Sequence, residues 1–170
     1  MLPDGTKAHI KDVPSYGAAT TAGIAQAKAA KKPFCLVVNI SDPHKPFWKG
    51  PNDPHKPSRI YTADEVPIPG FLFDDPQVRE ELALYYTSVR RADDAVGAVL
   101  KALETSGEAK NTVVMFMSDH GMPLPFAKTQ LYHHSTRTPW MVRWPGVTRP
   151  GSVDKQHMSS VVDFLPTVLG

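Results

Sequence analysis

The pentapeptide Asp-Pro-His-Lys-Pro occurs twice in one proline-rich stretch, at 42–46 and again at 53–57. Each copy offers a carboxylate and an imidazole, which are groups that can bind a divalent ion or transfer a proton. The first copy follows the apolar run "PFCLVVNI" (33–40) almost directly, whereas no apolar run precedes the second. His44 is therefore the candidate site residue, and His55 is expected to lie in an ordinary loop.

A further acidic and histidine pair, Asp119 and His120, follows the apolar run "NTVVMFMS" (111–118) and precedes Gly121. A carboxylate beside an imidazole at the end of a strand can hold a divalent ion. The same triplet also suits an ordinary turn in which Asp119 caps the backbone. The residues by themselves leave both interpretations open.

Positive charge follows this triplet within the segment "PLPFAKTQLYHHSTRTP" (123–139). Lys128, His133 and His134 would add cations to the same edge, where a tetrahedral oxyanion such as sulfate or phosphate could bind. Taken singly, Lys128 is equally a solvated side chain, and the two histidines are equally a surface pair.

Two long helices, the start of a third helix and three strands are predicted to position these groups. The alanine-rich segment 15–31 predicts a helix with Ser15 as its N-cap, and 77–106 predicts a longer helix that stops at Gly107. The continuous apolar runs 33–40 and 111–118 predict buried parallel strands. A shorter strand is expected at 138–146 and a helix start at 159–170. The apolar positions of the longer helix are Leu82, Tyr85, Val89, Val96, Leu100 and Leu103.

The order of strand, helix and strand predicts an α/β domain with a parallel or mixed sheet, whose ligands gather at the carboxyl ends of the strands. The proline-rich stretch 41–76 lacks a sustained period and predicts a long surface loop. If the strands 33–40 and 111–118 are neighbours, their following side chains converge, namely Asp42, His44, Asp119 and His120. The charged residues Arg90, Arg91, Asp93 and Asp94 are expected on the exposed face of the longer helix, with local ion pairs and no role in the site.

Composition excludes several classes of function. Nineteen basic and 17 acidic side chains give a net charge of +2 without a long run of one sign, so neither nucleic acid nor an anionic membrane is an expected partner. No apolar run approaches the roughly 20 residues that span a bilayer. The one cysteine, Cys35, excludes an intrachain disulfide and is expected to be a small buried hydrophobe.

Several separated segments together resemble one protein family. "NISDPHKPF" is followed much later by "NTVVMFMSDHGMPLPFAKTQLYHHSTRTPWMVRWPG" and by the closing "VVDFLPTVL". In this order they resemble the catalytic domain of sulfatases, in the alkaline phosphatase superfamily, and most of all the heparan N-sulfatase (N-sulfoglucosamine sulfohydrolase) type. The resemblance covers 15–170. It implies part of an alkaline phosphatase-like fold, a mixed, mainly parallel sheet flanked by helices.

The resemblance also implies roles for individual residues. Asp119 is implied as a ligand of the active-site divalent cation, and His120 stands at the adjoining ligand position, which is often Asn in the family. His44 is implied to contact the sulfate group and to help protonate the leaving group. Lys128 is implied to hold a sulfate oxygen, and His134 is counted with the substrate-binding residues. Calcium is the expected ion, with manganese or zinc as alternatives because His120 offers nitrogen.

One family feature is absent from the sequence. Sulfatases of this type use a formylglycine made from a Cys/Ser-X-Pro-X-Arg motif, and a pair of aspartates completes the metal site; this sequence has neither. We therefore expect 1–170 to be the middle to later part of a catalytic domain, without its nucleophile-bearing N-terminal segment and its C-terminal subdomain. Alone it is expected to be inactive and to aggregate through its exposed apolar faces.

The expected function is hydrolysis of a sulfuric ester or N-sulfate on a sulfated glycan or small molecule. A phosphodiesterase or phosphonate hydrolase of the same superfamily is one alternative, and the missing nucleophile motif would discriminate between them. A non-catalytic module that binds sulfated glycan is another, and an unrelated α/β domain is a third. The family resemblance implies a periplasmic, secreted or lysosomal protein. The sequence predicts neither the particular substrate nor the oligomeric state.

Overall fold

The computed structural model describes residue 5 and residues 8–170. Among these residues, two long helices precede a small region of short strands and short helices. A 3-10 turn, Ala109–Asn111, precedes the first strand, and another, Val161–Asp163, precedes the last helix. No described helix has the length and apolar character needed to cross a membrane. In chain order the elements are α1 (Val13–Ala29), α2 (Pro76–Thr105), β1 (Val114–Met117), α3 (His133–Thr136), β2 (Trp140–Arg143) and α4 (Phe164–Leu169).

Helix α1 confirms the predicted alanine-rich helix, but its N-cap lies three residues earlier than predicted. Asp12 is its N-cap, and one carboxylate oxygen of Asp12 accepts hydrogen bonds from the Ser15 amide at 3.0 Å and the Ser15 hydroxyl at 2.6 Å. Ser15 is therefore a partner of the cap and not the cap itself. At the other end of α1, Lys28 reaches the region just beyond α2, where its ammonium group lies 2.9 Å from the Ser106 carbonyl oxygen.

Helix α2 confirms the predicted long helix. The side chain of Asp75 accepts a hydrogen bond from the Gln77 amide, Pro76 takes the first helical position, and Gly107 follows the last turn with φ of 82°. The buried face of α2 is only partly apolar, because three buried polar residues form a polar band at its middle, namely Thr87, Ser88 and Arg91. The buried residues are Leu82, Ala83, Thr87, Ser88, Arg91, Ala95, Ala102 and Leu103.

The polar band of α2 holds the proline-rich loop, which has no helix or strand between 41 and 75. The Trp48 amide donates to the Ser88 hydroxyl at 2.8 Å, and the Tyr61 amide donates to the Thr87 hydroxyl at 3.0 Å. Loop amides that lack a strand partner therefore find acceptors on helix side chains, which satisfies backbone groups that burial would otherwise leave unpaired.

A small apolar core joins the amino-terminal half of α2 to the loops around it. Its centre is Val66, Leu82 and Ala83. Leu124 packs against this centre and belongs to the loop that follows β1, so the core ties that loop to α2. The other partly buried residues of the core are Tyr61, Ile68, Leu72, Val78 and Tyr86.

The sheet consists of β1 and β2, which pair antiparallel with Val114 opposite Arg143 and Met117 opposite Trp140. These strands confirm that 111–118 and 138–146 each contain a strand, but β1 is half-buried and pairs antiparallel, whereas the apolar run 111–118 predicted a buried parallel strand. The strand predicted at 33–40 is wrong: within the described residues this segment pairs with no strand, and Cys35 is exposed, not buried. An apolar run becomes a strand only where a neighbouring backbone offers hydrogen bonds, and here Leu36 lies instead against Gly23 of α1.

Candidate active site

The Asp119-His120-Gly121 triplet forms a tight turn directly after β1. The Ser118 hydroxyl donates to the His120 carbonyl at 2.9 Å, and the Asp119 carboxylate accepts from the His120 amide at 3.0 Å. The Asp119 side chain is nonetheless 85% exposed. One carboxylate oxygen of Asp119 caps the turn by accepting from the His120 amide, and the other oxygen remains free to bind a ligand.

Gly121 brings this turn against α3. Its amide donates to the Ser135 carbonyl at 3.0 Å, and a β-carbon at Gly121 would lie only 1.9 Å from the His134 carbonyl oxygen. No side chain fits in that space, since the obstructing atom is backbone and cannot rotate away. The glycine that the sequence places after Asp119 and His120 is therefore required by the contact between the turn and α3.

The hydrogen bonds of His120 identify which ring nitrogen is free. Its Nδ1 lies 2.8 Å from the Gly121 carbonyl oxygen, which can only accept, so Nδ1 carries the hydrogen. In the neutral ring Nε2 then has the available lone pair, and it lies 3.4 Å from the free carboxylate oxygen of Asp119. A metal-ligating imidazole commonly has its other nitrogen held in this way.

This pair fits a divalent cation as part of a ligand set. Carboxylate oxygen suits calcium, and the imidazole nitrogen adds tolerance for manganese or zinc. Within the residues that the structure describes, no group of three or more His, Cys, Asp and Glu side chains is placed to hold a metal ion. Asp119 and His120 would thus supply two ligands of a larger set.

A cavity of about 540 Å³ opens beside the turn, within the range of small-molecule sites. Asp119 and His120 line it together with Arg137, which follows α3. The cavity therefore combines a carboxylate, an imidazole and a guanidinium with hydroxyl groups. Its lining residues are Met117, Asp119, His120, Thr129–Leu131, Ser135–Trp140 and Ser159–Val161.

Lys128 is half-buried in the loop after the turn and is not among the residues that line this cavity. The Lys128 amide donates to the Met122 carbonyl at 3.0 Å, and Phe126 and Thr129 on either side have φ of 62° and 69°. Left-handed backbone at non-glycine residues persists only where surrounding packing imposes it, and such residues cluster at functional sites. No described residue pairs with the Lys128 ammonium group.

His44 and His134 also lie outside the lining of the cavity. His44 is exposed, and its Nδ1 lies 2.6 Å from the Lys45 carbonyl oxygen, so Nε2 is the nitrogen left free. The His134 ring stacks on Phe71 with centroids 4.0 Å apart. The structure brings together Asp119 and His120, and the roles of His44, Lys128 and His134 stay predictions.

Arg91 is the residue that the sequence-based interpretation misplaced. Arg90 pairs with Asp93 and Asp94 on the outside of α2 as expected, but Arg91 is only 2% exposed. Its guanidinium binds Asp42 at 2.6 Å and Asp53 at 3.2 Å, so both carboxylates of the repeated pentapeptide lie on one arginine. Helical spacing could have indicated this position, because Arg91 lies one turn after Thr87 and Ser88 and therefore on the same face of α2.

Burial and charge oppose each other in this cluster. Burial by itself would lower the pKa of Arg91, but the carboxylates of Asp42 and Asp53 outweigh it and raise that pKa above its ordinary value. Burial would likewise raise the pKa of Asp53, yet hydrogen bonds from the His55 and Lys49 amides and from Arg91 lower it. Asp42 is bound by Arg91 and Lys11. Among the described residues no cluster of three or more acidic, histidine or cysteine side chains forms, so the expected convergence of Asp42 with Asp119 and His120 is wrong.

Comparison with known proteins identifies the family of this chain. The family model described as Sulfatase matches residues 15–170. The chain belongs to the sulfatase family. Sulfatase domains have the alkaline phosphatase-like fold, to which this chain contributes helices and a short sheet.

Three similar proteins are named as sulfatases or as a sulphohydrolase. The chain is 33% identical to an ulvan-active sulfatase of Formosa agariphila, with 81% of the chain and 28% of that protein covered. It is 33% identical to human N-sulphoglucosamine sulphohydrolase, with 81% and 31% covered. It is 35% identical to an endo-4-O-sulfatase of Bacteroides thetaiotaomicron, with 82% and 29% covered. The chain thus spans less than a third of the length of these relatives.

Proposed function

We propose that this sulfatase chain is part of the catalytic domain of an enzyme that hydrolyses a sulfuric ester or N-sulfate on a sulfated glycan or a smaller sulfated sugar. Membership of the family supports the reaction class, and the names of the similar proteins support the substrate class. The observation that carries the proposal is the Asp119 and His120 turn. It presents a free carboxylate oxygen and a free Nε2 together, 3.4 Å apart, at the edge of a cavity.

Asp119 and His120 Nε2 are proposed to hold the divalent cation, with calcium the first choice and manganese or zinc the alternatives. When bound, the ion would supply positive charge that stabilises sulfuryl oxygens. Within this chain, Lys128 is proposed to bind a sulfate oxygen through its ammonium group. His134 is proposed as a substrate contact.

His44 is proposed as the group that protonates the departing oxygen or nitrogen. The Lys45 carbonyl accepts the hydrogen on His44 Nδ1, so a second proton can be carried only on Nε2. A proton at a fixed nitrogen is what a general acid needs. For this role the 42–46 turn must keep one conformation relative to the ring.

The chain is further proposed to be the middle to later part of its domain. The formylglycine nucleophile would come from a segment that precedes it, and the complete sheet would be mixed and mainly parallel. A periplasmic, secreted or lysosomal location is proposed on the same family grounds, with no nucleic acid or membrane as partner.

The test is to express the complete reading frame that contains this chain, whatever its length, and to measure its metal content and sulfate release. N-sulfated glucosamine, O-sulfated glycan fragments and an aryl sulfate are the substrates, with phosphodiesters in parallel. Asp119→Asn should lower bound metal and activity, and Lys128→Met should lower activity by about 100-fold. The matched controls are the exposed Asp64→Asn and Lys155→Met, which should leave both unchanged.

Other outcomes point to the alternative functions. Cleavage of phosphodiesters in preference to sulfates would make the protein a phosphoryl-transfer enzyme of the superfamily. A metal-free protein that binds heparin and releases no sulfate would be a glycan-binding module. Equal activity of Asp119→Asn and Asp64→Asn would remove the proposed metal role of Asp119.

A further inference from the structure

The repeated pentapeptide has a structural counterpart in a single guanidinium group. Arg91 donates to both carboxylate oxygens of Asp42, at 2.6 and 3.3 Å. Its remaining nitrogen, Nη1, donates to Asp53 at 3.2 Å and to the His55 carbonyl at 2.7 Å. One side of the guanidinium therefore holds the first copy and the other side holds the second.

A second cation extends this contact to the backbone of His44. The Lys11 ammonium group donates to Asp42 at 2.6 Å and to the His44 carbonyl at 2.8 Å. Asp42 thus lies between Arg91 and Lys11, and Lys11 is bonded directly to the residue proposed as the acid. The path from the guanidinium to His44 consists of charge-assisted hydrogen bonds, buried at Asp42 and partly buried at the His44 carbonyl, and bonds of this type are among the strongest in a protein.

The two copies present their histidines differently. In the first copy the His44 side chain is exposed, and the backbone amide of His44 donates to the Ser41 carbonyl at 2.9 Å. In the second copy the ring of His55 stacks on His9 with centroids 4.1 Å apart, and its Nδ1 lies 3.4 Å from Asp12. His55 is therefore engaged within the protein, while His44 faces outward.

We propose that Arg91 is a positioning residue for His44, and that the second Asp-Pro-His-Lys-Pro copy serves as the fixed anchor against which Arg91 holds the first. The inference rests on the role proposed for His44. Arginine suits this task because its planar fork can bind two carboxylates and a carbonyl at fixed angles, which a lysine cannot do. Removing it would leave the buried Asp53 carboxylate without its cation, and the 42–46 turn would lose its anchor.

The first test measures the His44 ring by nitrogen-15 NMR in the protein expressed from the complete reading frame, with His44→Gln to assign its signals among the other histidines. At a pH where the ring is neutral, the wild-type chain should show the hydrogen on Nδ1. Arg91→Gln should move His44 to a mixture of tautomers, and Arg91→Lys should not restore it. The matched control is Arg90→Gln, one position away on the outside of α2, which should leave His44 unchanged.

Loss of folding would not make this test unreadable. Signals of β1 and β2 report whether a variant keeps its fold, and Asp53→Asn is a milder change that retains shape. If Arg91→Gln unfolds, Asp53→Asn should still shift His44 signals while those of the strands stay in place. A folded Arg91→Gln or Asp53→Asn chain with wild-type His44 signals would overturn the proposal.

The second test uses the complete reading frame and its sulfate release. Arg91→Gln should lower kcat by about 100-fold, as expected for a misplaced reacting group, with little change in KM. If His44→Gln abolishes one limb of the pH profile of kcat, Arg91→Gln should abolish the same limb. Arg90→Gln should retain that limb. Unchanged kcat and pH profile in Arg91→Gln would refute positioning. If the wild-type protein released no sulfate while Arg91→Gln still altered the His44 tautomer, the proposed function would fail and the positioning role would stand.

Discussion

Replacement of Thr87 by valine tests whether α2 side chains hold the proline-rich loop. Thr87 is fully buried, at 0% exposure, and its hydroxyl accepts the Tyr61 amide at 3.0 Å. Valine has the same shape, so no cavity forms, and valine and threonine have similar helix propensities. The change in unfolding free energy therefore isolates the lost acceptor.

The expected size follows from the burial of the Tyr61 amide. A donor left without an acceptor costs about 1–3 kcal/mol when it is buried. Because the bond between Tyr61 and Thr87 is only partly buried, water can replace some of it. We expect a loss of about 1–2 kcal/mol, close to a tenfold change in the unfolding equilibrium.

The assay is urea unfolding followed by circular dichroism, together with hydrogen exchange at the Tyr61 amide. Thr105→Val is the matched control, since Thr105 is the exposed last residue of the same helix and should change stability by less than about 0.5 kcal/mol. Thr87→Val should also speed exchange at Tyr61. Equal stability of the two variants, with an unchanged Tyr61 exchange rate, would refute the idea that α2 holds the loop in this way.

Three further predictions concern a glycine pair, a tyrosine and an aspartate. Gly121→Ala should cost about 3 kcal/mol because its β-carbon meets the His134 carbonyl, whereas Gly97→Ala, with no atom within 4 Å, should gain about 0.5–1 kcal/mol; urea unfolding that ranks them equally would contradict this. Burial raises the pKa of Tyr85 to about 12, so its contribution to stability is complete below pH 10 and is lost as the pH rises from 10 toward 12. Unfolding measured across that window should show a loss that Tyr85→Phe lacks, and identical curves would count against it. The pKa of Asp53 is lowered below 3.8, so its contribution is present above pH 3.8 and is lost as the pH falls further. Asp53→Asn should be less sensitive to acid in that range, and an unchanged acid transition would show that Asp53 does not contribute.

Local patterns in the sequence were sufficient to place the two long helices and the two strands, but not to predict that these strands pair with each other. Periodicity, an alanine-rich composition and a stop at Gly107 are properties of neighbouring residues, and they identified α1, α2 and the ends of α2. The Asp119 and His120 turn was equally accessible, because its position depends only on where β1 ends. Family membership followed from the same linear order of segments.

The predicted strand at 33–40 shows where local patterns stop being sufficient. Its apolar run is real, but a strand also needs a neighbouring backbone, and in the described residues the segment lies against α1 instead. The tautomers of His44 and His120 could not be predicted from the sequence either, because each depends on which carbonyl oxygen lies within hydrogen-bond distance of Nδ1.

By itself, then, the sequence determined the two long helices, the positions of the two strands and the turn that carries Asp119 and His120. Only the tertiary structure decided what the middle of α2 faces. The sequence favours a surface position for Arg91 because its partners, Asp42 and Asp53, lie 49 and 38 residues away along the chain. Helical spacing states which residues share a face, whereas packing determines whether that face meets water or two buried carboxylates.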